Sequence, residues 1–163
     1  SLSRAALGGN PNAYRLPRPM LDDPSRLDFS FSGLKTAVRY TLVGPGRHDF
    51  DAIEREPQQV ADLAAAFQEA VVDCLVGKAF QAIAATGLHT LCVGGGVAAN
   101  ARLRERLAAR ASQEAVTLHV APPELCTDNA VMGAIALEHV RAGQFAPLTL
   151  DAQPGVVRSA RAE

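Results

Sequence analysis

Leu91-Cys92-Val93-Gly94-Gly95-Gly96-Val97-Ala98-Ala99-Asn100 is the stretch on which the fold turns. Its three apolar residues, after Gly87-Leu88-His89-Thr90, make a run short enough for one buried strand. Three glycines follow, then an Ala- and Arg-rich run with helical spacing. A strand that turns on glycines into a helix aims free N–H groups at one spot, which suits a phosphate or a ring close to backbone. Glycine permits such an approach because it lacks Cβ and tolerates positive φ. The spacing leaves two readings open. Gly94, Gly96 and Ala99 satisfy the dinucleotide pattern G-x-G-x-x-G/A, with Glu124 near the distance of a ribose-binding acid. The same glycines also serve a turn that merely lets strand and helix pack closely. There is no Gly-Lys-Ser/Thr, which excludes a P-loop.

Downstream of the turn, Leu103 and Leu107 face inward. Arg102, Arg106 and Arg110 recur every four residues on another face, which reads as a solvated stripe paired with Glu105, or else as a phosphate contact. Val116 to Val120 alternates as a second strand, with His119 on its surface side. After Pro122-Pro123, Cys126-Thr127-Asp128-Asn129 opens a last helix through Val131, Ile135, Leu137 and Val140 to Gly143. Thr127 or Asp128 is its natural N-cap. Asp128 also suits a carboxylate aimed across a cleft at a metal.

Upstream, the longest element begins at Pro57, a first-helical-position proline, and runs to Gly87 with Phe67 and Phe80 as core. Its apolar residues are not confined to one side, so it should pack against a sheet and something else; Gly77 marks a close crossing or a simple cost. Asp28-Phe29-Ser30-Phe31-Ser32 alternates as a strand, and Ser32-Gly33 starts a helix ended by Gly44-Pro45-Gly46. Lys35 in that helix's first turn opposes the helix dipole, a place where a lysine often meets an anion. Residues 8–24, rich in proline, form an extended connector with a short edge strand at Ala13 to Leu16 and solvated charges at Arg15 and Arg18. Residues 47–56 read as a charged loop.

The 163 residues, 48% hydrophobic, suit one domain with a real core. The chain opens inside what reads as a helix end, as a piece of something longer would. A net charge of −1 gives no global basic field for nucleic acid and leaves a local patch open. Cys74, Cys92 and Cys126 form no C-x-x-C; Cys74 and Cys92 read as small buried hydrophobes. No apolar run nears the ~18–20 residues that span a bilayer, and a cytoplasmic protein is expected. The order of elements is that of an α/β domain, whose ligands sit at the carboxyl ends of its strands. The glycine turn, Ser32 and Thr127 all lie at such an edge.

Pro17-Arg18-Pro19-Met20, Asp28 to Thr36, Val93 to Asn100 and Cys126 to Asn129 occur in the order seen in the TsaD family, the tRNA threonylcarbamoyladenosine transferases once named glycoproteases. The chain resembles the second half of that family over residues 1–145, leaving 146–163 as a loose tail. The resemblance implies an actin-like ATPase fold related to the sugar kinases, of which this would be the second lobe, a central mixed sheet flanked by helices. It implies transfer of threonylcarbamoyl from threonylcarbamoyl-AMP to the N6 amine of the adenosine 3′ of the anticodon. By the same resemblance, Asn100 contacts the adenylate, Gly94, Gly95 and Gly96 let the nucleotide lie on backbone, and Asp128 is a ligand of a metal, iron or zinc. Ser32, Lys35 and Thr127 are further candidates. The implied partners are tRNA, a TsaB-like homologue and a TsaE-like ATPase.

One departure stands out. The family draws two more metal ligands from a His-x-x-x-His pair, whereas His48, His89, His119 and His139 are all twenty or more residues apart. The chain alone is therefore expected to bind metal and adenylate weakly and to lack transferase activity. A non-catalytic scaffold of the same fold is the alternative. A metallopeptidase ranks last, since no His-Glu-x-x-His occurs.

Overall fold

The computed structural model describes residues 2–44, 56–128 and 130–150. The chain divides into two compact units, Ser1–Thr127 and Asp128–Glu163. In the first, a short helix α1 (Leu2–Ala5) leads through the proline-rich connector to α2 (Ser32–Val43). The long helix α3 (Pro57–Thr86) follows, then β1 (Thr90–Val93), the glycine turn, α4 (Ala101–Gln113) and β2 (Thr117–Val120). In the second unit, a 3₁₀ turn (Ala130–Gly133) precedes α5 (Ala134–Arg141). The tail beyond 150 and residues 47–55 of the charged loop lie outside the described residues.

Punctuation sets the helices. Pro57 occupies the first turn of α3, and Gly87 ends it in the left-handed region at φ 69°. Gly44 ends α2 at φ 81°. α3 serves two cores, as its apolar residues on several sides require. Its second half (Val72, Val76, Phe80) packs with Leu103, Leu107 and Ala111 of α4 and with Val116. Its first half (Leu63, Ala66, Ala70) packs with Leu16 and Leu34, with Phe67 half-buried at the margin.

β1 and β2 pair in parallel with Thr90 opposite Thr117 and Val93 opposite Val120. α4 is the crossover a parallel pair needs. Leu91, Val93 and Leu118 turn inward, while Thr90, Cys92, Thr117 and His119 are exposed. The strand is thus half-buried rather than buried, and Cys92 is a surface thiol; Cys74 is buried as expected.

Other expectations are corrected. Residues 28–32 form no strand, nor do 13–16. A ladder needs a neighbour, and the described sheet holds only β1 and β2. Instead Phe29 and Phe31 stack at 6.4 Å, and Phe31 joins the core around Leu34. The connector is held by α3 side chains. Arg18 pairs with Asp73 at 3.0 Å instead of facing solvent, while Arg15 is exposed. Buried Lys78 donates to the carbonyls of Asp23 and Arg26, both at 2.6 Å, and Gln81 donates to that of Leu21. Gly77 is a close crossing, where a Cβ would lie 2.3 Å from Leu21 Cδ1. The last helix starts late: α5 is capped by Gly133 without a side-chain bond, so neither Thr127 nor Asp128 caps it.

Candidate functional site

Gly94 and Gly95 carry the chain from the end of β1 into a 3₁₀ turn (Gly96–Ala99), and Asn100 then caps α4. Gly95 has φ 85° and ψ 171°, a region essentially closed to residues with a Cβ. The three glycines are exposed. Gly94 lines a cleft of about 340 Å³ with Phe29, Cys92, Val97 and Ala98. Phe29 is 54% exposed, and its stacking on Phe31 fixes the ring beside the turn. Sequence reading missed it because its alternation with Phe31 resembles a strand.

The Asn100 amide is occupied within the chain. Its Oδ1 accepts from Leu103 N at 2.9 Å, and Nδ2 donates to Gln68 Oε1 at 2.9 Å and Ser3 Oγ at 3.0 Å. The side chain thus ties α4 to α3 and α1. One lone pair on Oδ1 remains for a ligand.

The loop after β2 lies against the glycine turn. A Cβ on Gly94 would sit 3.9 Å from Ala121 Cβ, and one on Gly96 3.9 Å from the carbonyl oxygen of Cys126. Thr127 ends this unit, exposed; Asp128 begins the next, also exposed. Lys35 lies elsewhere, on an apolar groove with Leu2, Tyr14 and Phe67, and Ser32 Oγ faces Ser30 Oγ at 3.5 Å. The structure therefore brings Gly94 and Gly96 towards Ala121 and Cys126 of the loop after β2, while Lys35 lines a different groove. Among the described residues, no three His, Cys, Asp or Glu side chains converge on a point that could hold a metal ion. Asp128 is a single exposed carboxylate, and one ligand does not make a metal site.

The arginine stripe is a seam between helices. Arg102 pairs with Glu69 at 2.8 Å and with Glu105 at 2.9 Å. Arg106 pairs with Glu69 at 2.5 Å and with Asp73 at 3.1 Å. Arg110 pairs with Glu114, its guanidinium 5.6 Å from the Phe80 ring centroid. Two carboxylates four apart on α3 meet two guanidiniums four apart on α4. Hydrogen bonding from Arg102 holds the Glu69 carboxyl below its ordinary value, outweighing burial, with help from the Arg102, Arg106 and Arg18 charges. Arg102 and Arg106 thus pair with carboxylates of α3, and Arg110 with Glu114.

No helix among the described residues is long and apolar enough to cross a membrane. A sequence profile of the TsaD family, described as tRNA N6-adenosine threonylcarbamoyltransferase, matches residues 1–135. Three relatives carry that same description. The one from Rhodopirellula baltica is 51% identical over 96% of this chain and 46% of its own length. Those from Desulfitobacterium hafniense and Thermotoga neapolitana are 46% and 43% identical, each over 95% of this chain and 44% of its own length. The chain thus spans less than half the length of these curated relatives, and along nearly all of its own length it belongs to the TsaD family.

Proposed function

We propose that this chain supplies the adenosine-cradling lobe of a tRNA N6-adenosine threonylcarbamoyltransferase of actin-like ATPase fold. The observation that carries the reading is the exposed glycine turn at the carboxyl end of β1, with Gly95 in a conformation only glycine holds. That is the edge where α/β folds take ligands, and a Cβ-free backbone there lets a nucleotide come close. The substrate of this reading is threonylcarbamoyl-AMP, already activated, so the protein's work is orientation and exclusion of water. Gly94, Gly95 and Gly96 would carry the nucleotide, and Asn100 would offer its remaining Oδ1 lone pair. Asp128 would donate one carboxylate to a divalent iron or zinc whose other ligands come from outside this chain. The partners of this reading are tRNA, a TsaB-like homologue and a TsaE-like ATPase, in the cytoplasm.

The occupied amide of Asn100 favours a second reading, a non-catalytic scaffold of the same fold. The test pairs this chain with a separately produced polypeptide carrying the part of the R. baltica relative that it does not match. Label is followed from threonylcarbamoyl-AMP into tRNA. Transfer by the pair and by neither alone is the expected result. Transfer by this chain alone would overturn the half-site, and no transfer by the pair would favour the scaffold.

A further inference from the structure

Arg104 stands off the ionic seam and meets two loops at once. Its Nε donates to the carbonyl of Ala98 at 2.6 Å, and its Nη2 donates to the carbonyl of Ala121 at 2.5 Å. Nη2 also reaches Cys126 Sγ at 3.3 Å, and that thiol donates to the Ala121 carbonyl at 3.4 Å. Ala98 and Cys126 are buried, so these are interior contacts. Ala98 belongs to the loop leaving β1, and Ala121 begins the loop leaving β2. The end of the sheet joins them once more, where Ala121 N donates to the Val93 carbonyl at 2.9 Å.

We propose that Arg104 is a positioning residue that locks the glycine turn to the loop running on to Thr127, so that a nucleotide held by the first loop is felt at the second. The proposal rests on the adenylate reading above. Arginine suits the task because its planar fork presents donors in fixed directions to two acceptors, and a charged donor binds a carbonyl more strongly than a neutral one. A lysine ammonium keeps the charge without the fork. Asp128 follows the second loop directly in sequence.

Hydrogen exchange of the chain and of its Arg104→Gln and Arg104→Lys variants, with and without AMP, tests this. Without AMP, Arg104→Gln should speed exchange about tenfold at Ala98, Asn100, Leu125 and Cys126, leaving the α3 amides within about twofold. Arg104→Lys should fall between. With AMP, the unaltered chain should gain protection in both loops, and Arg104→Gln only in the glycine turn. A merely structural brace would not produce that split. The proposal is overturned if AMP protects both loops equally in the variant, or if neither loop loosens without the arginine. If Arg104→Gln loses α3 protection as a whole, Arg104→Lys decides by the same criteria. If AMP protects no amide even in the unaltered chain, the adenylate reading fails, while exchange without ligand still decides whether Arg104 locks the loops.

Discussion

Gly95 and Asn100 matter most at the scale of single residues. With φ 85° and ψ 171°, Gly95 cannot accept a side chain without strain, although the space around a Cβ there is open. Gly95→Ala should therefore cost about 1–3 kcal/mol in denaturant unfolding. Gly94→Ala meets only ordinary contact with Ala121 and should stay within about 0.5 kcal/mol. Equal costs for the two would mean that the turn has another geometry. At Asn100, Asn100→Ala removes the cap and should cost about 1 kcal/mol or more. Asn100→Asp keeps an acceptor for Leu103 N and loses the donors to Gln68 and Ser3, so it should fall between. The glycines were legible in the sequence because three in a row after an apolar run mark a turn built on Cβ-free backbone. The internal ties of Asn100 were not, since nothing local says that residues 3 and 68 come to its side.

Among the elements, α3 is the one on which the rest is assembled. The connector crosses it closely at Gly9, where a Cβ would lie 2.1 Å from the Ala61 carbonyl oxygen and 2.9 Å from Asp62 N. Backbone cannot give way as a side chain can, so Gly9→Ala should cost about 1–3 kcal/mol. Gly77→Ala, which meets only the flexible end of Leu21 and gains helix propensity, should cost less. The reverse order in urea unfolding would contradict this packing. The seam with α4 makes a pH prediction. Because the Glu69 carboxyl is held below its ordinary value of 4.5, its contribution is complete above that pH and is lost as pH falls through the folded value. Glu69→Gln should therefore cost about 1–2 kcal/mol at neutral pH, with a smaller penalty below about pH 4.5. An equal penalty at pH 7 and at pH 3.5 would contradict the pairing. The end of α2 and both ends of α3 were legible because Gly44, Pro57 and Gly87 are local signals. The seam was not, because matching charges on two helices cannot be paired before the helices are known to pack. The false strand at 28–32 fails for the converse reason: alternation shows readiness for a sheet, and a sheet needs a neighbour.

For the molecule as a whole, family membership and length together decide what can be expected of it. The chain spans 44–46% of its curated relatives, and its described sheet has two strands with Cys92 and His119 on an open side. An α/β unit was legible from the order of its elements. A role for Asp128 was not, since one carboxylate carries no geometry until its companions are present. The central claim is that the glycine turn after β1 binds an adenosine nucleotide. The most direct measurement is an AMP titration of the ¹⁵N-labelled chain, followed amide by amide in heteronuclear NMR spectra. The largest saturable shifts are expected on Gly94 to Ala98, with smaller ones at Ala121 to Cys126, and both should vanish in Gly95→Ala. Saturable shifts that centre on Lys35 and the groove beside it, or no shifts at the glycine turn at all, would contradict the claim.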